Sequence, residues 1–259
     1  MSLFEETATV RQRLVPGPGA VELVLEAPKM AQAIRPGQFV MVRSEAAGAP
    51  YLGRPMSYFR RSPSGISILF RIVGAGTRHL AGLGPGTTLR LLGPLGQPYA
   101  DPPPGEVWLV GGGVGVAPLY DWALLLRQGG QRVVAVVGAR SKDQLLGDAA
   151  FLQAADRCLV TTDDGTAGQR AQVVDVLSDR AQSVYACGPL GMLQAVKRWA
   201  EGRRAPTYLT LEARMACGFG ACLGCTVAAA HPDPALGAYG HYLRVCHEGP
   251  TFLAEEVSL

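Results

Sequence analysis

The chain has no block of like charge, no uninterrupted apolar span and no Ser/His/Asp set, and each absence removes a class of function. Its 24 basic and 21 acidic residues leave a net charge of +3. These charges are scattered, so the basic footprint that nucleic acid or anionic lipid requires is missing. Apolar residues make up 48% and charged residues 17% of the chain, which leaves no charge-rich, apolar-poor segment of the kind that stays disordered. Met1–Leu14 contains Glu5, Glu6, Arg11 and Arg13 but no apolar h-region, so a cytoplasmic location is expected. Val107–Leu126 is apolar enough to invite a membrane reading, but Gly111, Gly112, Gly113, Gly115 and Pro118 divide it into strand, loop and helix. No paired carboxylates at a loop point to hydrolysis. Only four histidines are present, and His79, His231, His241 and His247 lack metal-binding periodicity. There is no internal repeat. At 259 residues the chain exceeds the small secreted scaffolds that depend on disulfides and has room for two domains and a small third.

What is present begins with cysteine. Cys217, Cys222 and Cys225 follow the order C-x4-C-x2-C, and Cys246 comes after twenty intervening residues. That is the ligand spacing of a plant-type [2Fe–2S] cluster. The small residues of Cys217-Gly218-Phe219-Gly220-Ala221-Cys222-Leu223-Gly224-Cys225 let the backbone wrap closely and aim N–H groups at anionic sulfur. A structural zinc site is the rival, but its usual signature is two C-x2-C pairs or a Cys/His set, and only Cys222 and Cys225 are so spaced. Cys158 lies in an apolar strand candidate and reads as a small buried hydrophobe.

From residue 7 to about 99, β-rich runs at Val21–Leu25, Gln38–Arg43, Ile66–Ile72 and Thr88–Leu92 alternate with Gly/Pro turns. This rhythm predicts an antiparallel barrel or sandwich. Asp101-Pro102-Pro103-Pro104-Gly105 reads as a linker. Beyond it, apolar strand candidates at Val107–Val110, Val133–Val137, Cys158–Thr161 and Val184–Ala186 alternate with helical segments at Leu119–Arg127, Val173–Leu177 and Met192–Ala200. That alternation predicts βαβ units and a parallel sheet. The tail from Thr207 holds the cluster cysteines and a strand-like run at Tyr242–Val245.

Two sets of loops read as cofactor loops. Gly111-Gly112-Gly113-Val114-Gly115 joins a strand to a helix start, either to present N–H groups to a phosphate or to pack a tight βα turn; Val116 departs from the strict dinucleotide fingerprint. Other strand ends carry Gly138-Ala139-Arg140, Asp163-Asp164-Gly165 and Cys187-Gly188-Pro189. Asp163 and Asp164 stand there as nucleotide contacts or as an ordinary turn pair. In the first half, Arg54-Pro55-Met56-Ser57-Tyr58 combines a guanidinium, a rigid turn, a hydroxyl and an aromatic face, each useful at a flavin. Gly74-Ala75-Gly76-Thr77 ends a strand and is expected to start a helix at Thr77 that faces a pyrophosphate.

In this order the parts resemble the ferredoxin-NADP reductase superfamily, and most closely the electron-transfer subunits of dihydroorotate dehydrogenase B, over essentially the full length. The most specific stretches are Met215–Cys225 and Arg244-Val245-Cys246-His247-Glu248-Gly249-Pro250. The resemblance implies an antiparallel FAD-binding β-barrel at 1–101, a parallel-sheet NAD-binding α/β domain at 102–206 and a small C-terminal [2Fe–2S] domain at 207–259. It implies FAD held by Arg54, Pro55, Met56 and Ser57, by Leu69, Phe70 and Arg71, and by Gly76 and Thr77, with Ser57 at the reactive edge. NAD would lie against Gly111, Gly112, Gly113, Gly115, Asp163, Gly188 and Pro189, with Cys187 close to the nicotinamide. Cys217, Cys222, Cys225 and Cys246 would hold the cluster. The implied partner is an FMN-containing catalytic subunit that oxidises dihydroorotate, in a heterotetramer of two of each, with no nucleic acid and no membrane. Two readings stand beside it. One is a reductase module of a hydrogenase, sulfide dehydrogenase or ferredoxin-linked complex; the other is a zinc-stabilised binding module without redox activity. Arg140-Ser141-Lys142 follows the second strand of the sheet where an acidic residue is usual, which keeps NADP in view beside NAD.

Overall fold

Period-two alternation in the first half of the chain closes into a barrel. In the computed structural model, which describes residues 3–46 and 48–259, six strands build it: β1 (Phe4–Gly17), β2 (Ala20–Glu26), β3 (Phe39–Arg43), β4 (Arg54–Ser62), β5 (Gly65–Arg71) and β6 (Thr88–Leu95). Their order is β1-β2-β5-β4-β3-β6, closing back on β1 with every pairing antiparallel. Leu23 and Leu25, Ile66 and Ile68, and Leu89 and Leu91 alternate inward and are fully buried. Closure rather than a sandwich removes the strand edges that an open sheet would expose. Helices α1 (Pro28–Ala33) and α2 (Ala75–Ala81) occupy connections of the barrel, and Met30 and Leu80 join its core.

One opening in this barrel matters for function. β4 pairs with β5 only from Tyr58 to Ser62. Over Arg54–Ser57 it pairs with β3 alone, while Leu69–Arg71 of β5 pair with β2. The two strands therefore splay apart between two segments that are both expected at the flavin. Pro55 is tolerated there because it has no ladder bond to donate on the open side. The sequence reading of this proline as a turn is corrected: it lies inside a strand.

The second half forms one sheet in the order β10-β9-β8-β7-β11-β12-β15. Its strands are β7 (Glu106–Gly112), β8 (Arg132–Ala139), β9 (Arg157–Thr162), β10 (Gln169–Arg170), β11 (Ser183–Cys187), β12 (Thr207–Thr210) and β15 (Thr251–Leu253), with helices α3 (Ala117–Gln128), α4 (Asp148–Ala154) and α5 (Leu190–Ala200). All neighbours are parallel except β12 and β15. Val133–Val137 is buried at every position, as a strand covered on both faces must be. The succession runs outward from β7 to β10 and then returns to the other side of β7 at β11. The switch point of the sheet thus lies between β7 and β11, where open α/β sheets bind ligands.

Three local expectations change. The helix expected at Thr77 begins at Ala75, and Thr77 Oγ1 instead accepts the N–H of Val73 at 2.9 Å and of Gly74 at 3.1 Å. Val173–Leu177 is a single 3-10 turn over Val173–Val176, too short to nucleate an α-helix. The sheet also continues past residue 206, because β12 and β15 extend it and bury Leu209 and Phe252. The cysteine segment is therefore an excursion between two strands of the sheet. It contains its own small pair, β13 (Thr226–Ala228) and β14 (Tyr242–Arg244).

Candidate functional site

A cleft of about 270 Å³ lies between barrel and sheet. From the splayed barrel strands, Arg54, Pro55, Met56 and Ser57 line one side and Leu69, Phe70 and Arg71 another, with Thr77 at its end. From the sheet come Val114, Ala117 and Pro118 after β7, and Cys187 at the end of β11. Both expected flavin segments thus share one cavity with Cys187.

The remaining expected residues are placed around it. Gly76 lies beneath the Arg54 side chain, so close that a Cβ there would sit 1.9 Å from Arg54 Nε. Arg54 Nη1 donates to the carbonyls of Leu52 at 3.0 Å and Gly53 at 2.9 Å, which fixes its stem and leaves the other guanidinium nitrogens toward α2. Arg71 is tied differently: its Nη1 and Nη2 donate to the carbonyls of Pro18 at 3.2 Å and Gln144 at 3.0 Å. It straps the barrel to the loop after β8. Gly112 packs against Gly188 and Pro189, and a Cβ on Gly115 would meet the Cys187 carbonyl oxygen at 2.1 Å. Gly112 and Gly115 are therefore needed by the close approach of the two strand ends, Gly111 by the return of Val116 in its own loop, and Gly113, with φ +56° and open space around it, faces outward from that junction. Asp163 sits in an exposed turn outside the cleft, and the neighbouring Asp164 carboxylate accepts from Thr166 N at 2.9 Å and Thr166 Oγ1 at 2.6 Å. This is turn chemistry.

Three cleft residues carry no sequence motif: Phe39, Thr210 and Glu212; Met215, at the head of the cysteine stretch, also lines it. Glu212 keeps an exposed edge, yet the walls around its carboxyl raise its pKa by desolvation. Burial pushes the Cys187 thiol far above its ordinary range, and the charge of Glu212 adds to the effect; it is a neutral thiol. Glu212 stands two residues beyond the end of β12, a strand that no run in the sequence marks.

The four cysteines form two pairs. Cys217 and Cys222 are neighbours, with the Cys222 N–H directed at Cys217 Sγ at 3.5 Å; Cys225 and Cys246 are neighbours, with the Cys246 N–H directed at Cys225 Sγ at 3.4 Å. Gly220 N–H donates to Cys246 Sγ at 3.1 Å. Burial disfavours the Cys217 thiolate, but backbone N–H groups of Cys222, Phe219 and Ala221 outweigh it and bring the pKa down to about 6. Cys246 is pushed up to about 12 by burial and by Cys225. Gly218 and Gly220 have φ of +81° and +88°, so only glycine lets the loop curl its amides toward sulfur. Among the described residues no three His, Cys, Asp or Glu side chains converge on one ion. A binuclear cluster does not require it, since its cysteines are divided between two irons. The pairing, the inward N–H groups and the lowered thiol all fit a [2Fe–2S] group. Arg244 closes the loop: it pairs with Glu248 and donates from Nη1 to the Gly220 carbonyl at 3.0 Å.

This loop abuts the cleft. A Cβ on Gly218 would meet Met41 Cγ at 2.6 Å. Phe39, which lines the cleft, belongs to the same apolar cluster as Met41, Leu95, Cys225 and Cys246. Gln97 adds two ties, from its N–H to the Gly249 carbonyl at 2.7 Å and from Nε2 to the His247 carbonyl at 3.0 Å.

Comparison with known proteins agrees with this arrangement. Residues 212–258 match the family model of the iron-sulfur cluster binding domain of dihydroorotate dehydrogenase B. The chain is 38% identical over 263 residues to the dihydroorotate dehydrogenase B (NAD(+)) electron transfer subunit of Geobacillus thermodenitrificans, covering 98% of each. It is 38% identical over 247 residues to the subunit of the same name from Bacillus cereus, covering 92% of each. Among solved structures, that of an NADH-dependent reduced ferredoxin-NADP oxidoreductase, studied for flavin-based electron bifurcation, superposes with a TM-score of 0.85 at 30% identity. The match covers 97% of this chain and 89% of that one. The ferredoxin reductase of carbazole 1,9a-dioxygenase shares the fold, with a TM-score of 0.65 at 20% identity over 81% of this chain and 69% of that one.

Proposed function

The chain belongs to the family of dihydroorotate dehydrogenase B electron-transfer subunits, and from that membership we propose that it links an FMN-containing catalytic subunit, which oxidises dihydroorotate to orotate, with NAD+. Its own carriers are FAD and a [2Fe–2S] cluster. When bound, FAD exchanges a hydride with nicotinamide and single electrons with the cluster, which is the reason both groups are needed.

The observation that supports this reading most is the single cleft in which residues 54–57, residues 69–71 and Cys187 meet. In it, Arg54 holds a phosphate by charge-assisted bonds, and Ser57 orients the ring from the barrel side. Cys187 faces the nicotinamide from the sheet side. Its neutral thiol adds no charge beside the transferring hydride. The backbone amides at Gly113 and the start of α3 receive the nucleotide pyrophosphate. Cys217, Cys222, Cys225 and Cys246 hold the cluster. Cys222 is exposed, and Phe219 and Leu223, 46% and 45% exposed, form an apolar rim beside it on which the catalytic subunit docks. A heterotetramer of two of each subunit is the assembly this reading expects.

The test is an anaerobic preparation, in which flavin and iron–sulfur absorption bands are expected together with two irons and two sulfides per chain. Each single Cys→Ser change at the four positions lowers iron content, while NADH oxidation by an artificial acceptor persists. A colourless zinc protein, or full iron in all four variants, would overturn the reading. The superposition on the ferredoxin-NADP oxidoreductase favours a second reading, the same electron-transfer unit serving another redox partner. Co-purification of the native complex separates the two.

A further inference from the structure

Barrel and sheet meet where β4 crosses α3, and one buried carboxylate stands at that crossing. Asp121, 6% exposed, lies one helical turn beyond Ala117, which lines the cleft, so both share one face of α3. Its Oδ2 accepts the Tyr58 hydroxyl at 2.7 Å and Arg61 Nε at 3.0 Å. Both donors belong to β4, whose opposite end supplies Arg54–Ser57 to the cleft. In a regular strand residues three apart point to opposite faces. Here Tyr58 pairs with Ile68 and Arg61 with Ile66, so β4 carries one extra residue between them. That bulge turns both side chains to the same carboxylate. Between them, Phe59 packs on Tyr120 with ring centroids 5.1 Å apart, and the Arg60 guanidinium lies 4.5 Å and 4.7 Å from the Phe59 and Tyr120 centroids. Four consecutive residues of β4 therefore grip two of α3.

Stability alone does not call for such an arrangement, because apolar side chains of similar volume serve a buried contact as well as an ion pair or better. What a directional triad supplies is one register between two elements. We propose that Asp121 is a positioning residue for hydride transfer, fixing the flavin-bearing strand β4 against the helix that begins at the nucleotide loop. The inference rests on the flavin and nicotinamide reading of the cleft. In that reading the two reacting rings are held by different domains and must approach to about 3–3.5 Å. Any slip of β4 along α3 enters that distance directly.

The experiment uses the full-length holoprotein and two variants: Asp121→Asn, and the apolar triple Tyr58→Phe/Arg61→Met/Asp121→Leu. Four quantities are measured: FAD content, the NADH dissociation constant, the rate of flavin bleaching by NADH in a stopped-flow instrument, and the long-wavelength charge-transfer absorbance of the NADH complex. Expected in whichever variant retains FAD is an NADH affinity within about twofold of wild type, a bleaching rate lower by about tenfold or more, and a weakened charge-transfer band. The triple variant recovers thermal stability without recovering rate or band. Wild-type rate and band in a folded variant would overturn the positioning role and leave Asp121 a packing residue. If wild-type protein itself shows no bleaching by NADH, the reading of the cleft fails instead.

Discussion

Among the cysteines, burial and backbone hydrogen bonds set the titration more than partner charges do. Cys217 owes its low pKa to amides that the glycine loop turns inward, whereas Cys158, half-buried in β9, is pushed up to about 11 by burial. In cluster-free protein, alkylation by iodoacetamide is therefore expected to label Cys217 with a midpoint near pH 6 as the thiolate forms on raising the pH. Cys158 stays unreactive until far more alkaline solution, and peptide mass mapping across pH reads the order. On the proposed role of Arg54 at a FAD phosphate, Arg54→Ala removes charge-assisted bonds worth roughly 1.5–3 kcal/mol each, so FAD should dissociate about tenfold or more faster. Gly76→Val is expected to act through the same residue, because its side chain occupies the place where Arg54 Nε lies; equilibrium dialysis of FAD compares the two. At the nucleotide, Arg140 and Lys142 are exposed and make no ion pair among the described residues. NADH is nevertheless expected to exceed NADPH in kcat/KM with an artificial acceptor. A wild-type preference for NADPH that disappears in Arg140→Ala would mean that the cation reads a 2′-phosphate.

At the scale of elements, the decisive features are interruptions of regular structure. β4 stays apart from β5 until Tyr58 and so opens the cleft, and its bulge aims two donors at α3. The turn from β7 into α3 is packed backbone to backbone on the end of β11, which makes its glycines structural whatever else they contact. Gly115→Ala places a methyl 2.1 Å from the Cys187 carbonyl oxygen, where no flexible side chain can yield. Overpacking of this kind costs about 1–3 kcal/mol, with a fall in melting temperature of roughly 2–4 °C per kcal/mol for a chain of this size class. NADH-dependent bleaching should fall more than stability does, since the shifted backbone carries Cys187. The reading of the loop as tight packing holds for Gly111, Gly112 and Gly115, while Gly113 is the glycine with open space around it.

For the whole molecule, the cysteine segment hangs between β12 and β15 rather than following the sheet as a separate bead. Truncation after residue 206 removes both strands, bares the β11 edge and strips Leu209 and Phe252 from the apolar layer. The truncated chain is expected to aggregate or to unfold at markedly lower temperature than full-length protein from which the cluster alone has been removed. Calorimetry of the two preparations makes the comparison. Coupling of this kind also keeps the cluster loop against Met41 and Gln97 of the barrel side. The cleft and the cysteine loop are then held by one continuous set of contacts.

Much of this was legible in the sequence because it is local. Cysteine spacing, the glycine-rich turn after an apolar strand, and the change from period-two runs to strand–helix alternation each depend on residues a few positions apart, and each is found where it was read. The positions of Pro55, Thr77 and Val173–Leu177 were misread locally because strand splaying, capping and a short 3-10 turn depend on what pairs alongside. Longer-range facts had no local trace. The return of the chain to the other side of β7 places the switch point between Gly111–Gly112 and Cys187. The divergence of β4 from β5 joins two distant motifs in one cavity. Thr210, at the end of a strand on the far side of the expected domain boundary, and Glu212 just beyond it reach that cavity, and Asp121 meets Tyr58 and Arg61 only through a bulge. Pairing register and strand order are set by the sum of contacts over the whole chain, and that sum exists only once the chain has folded.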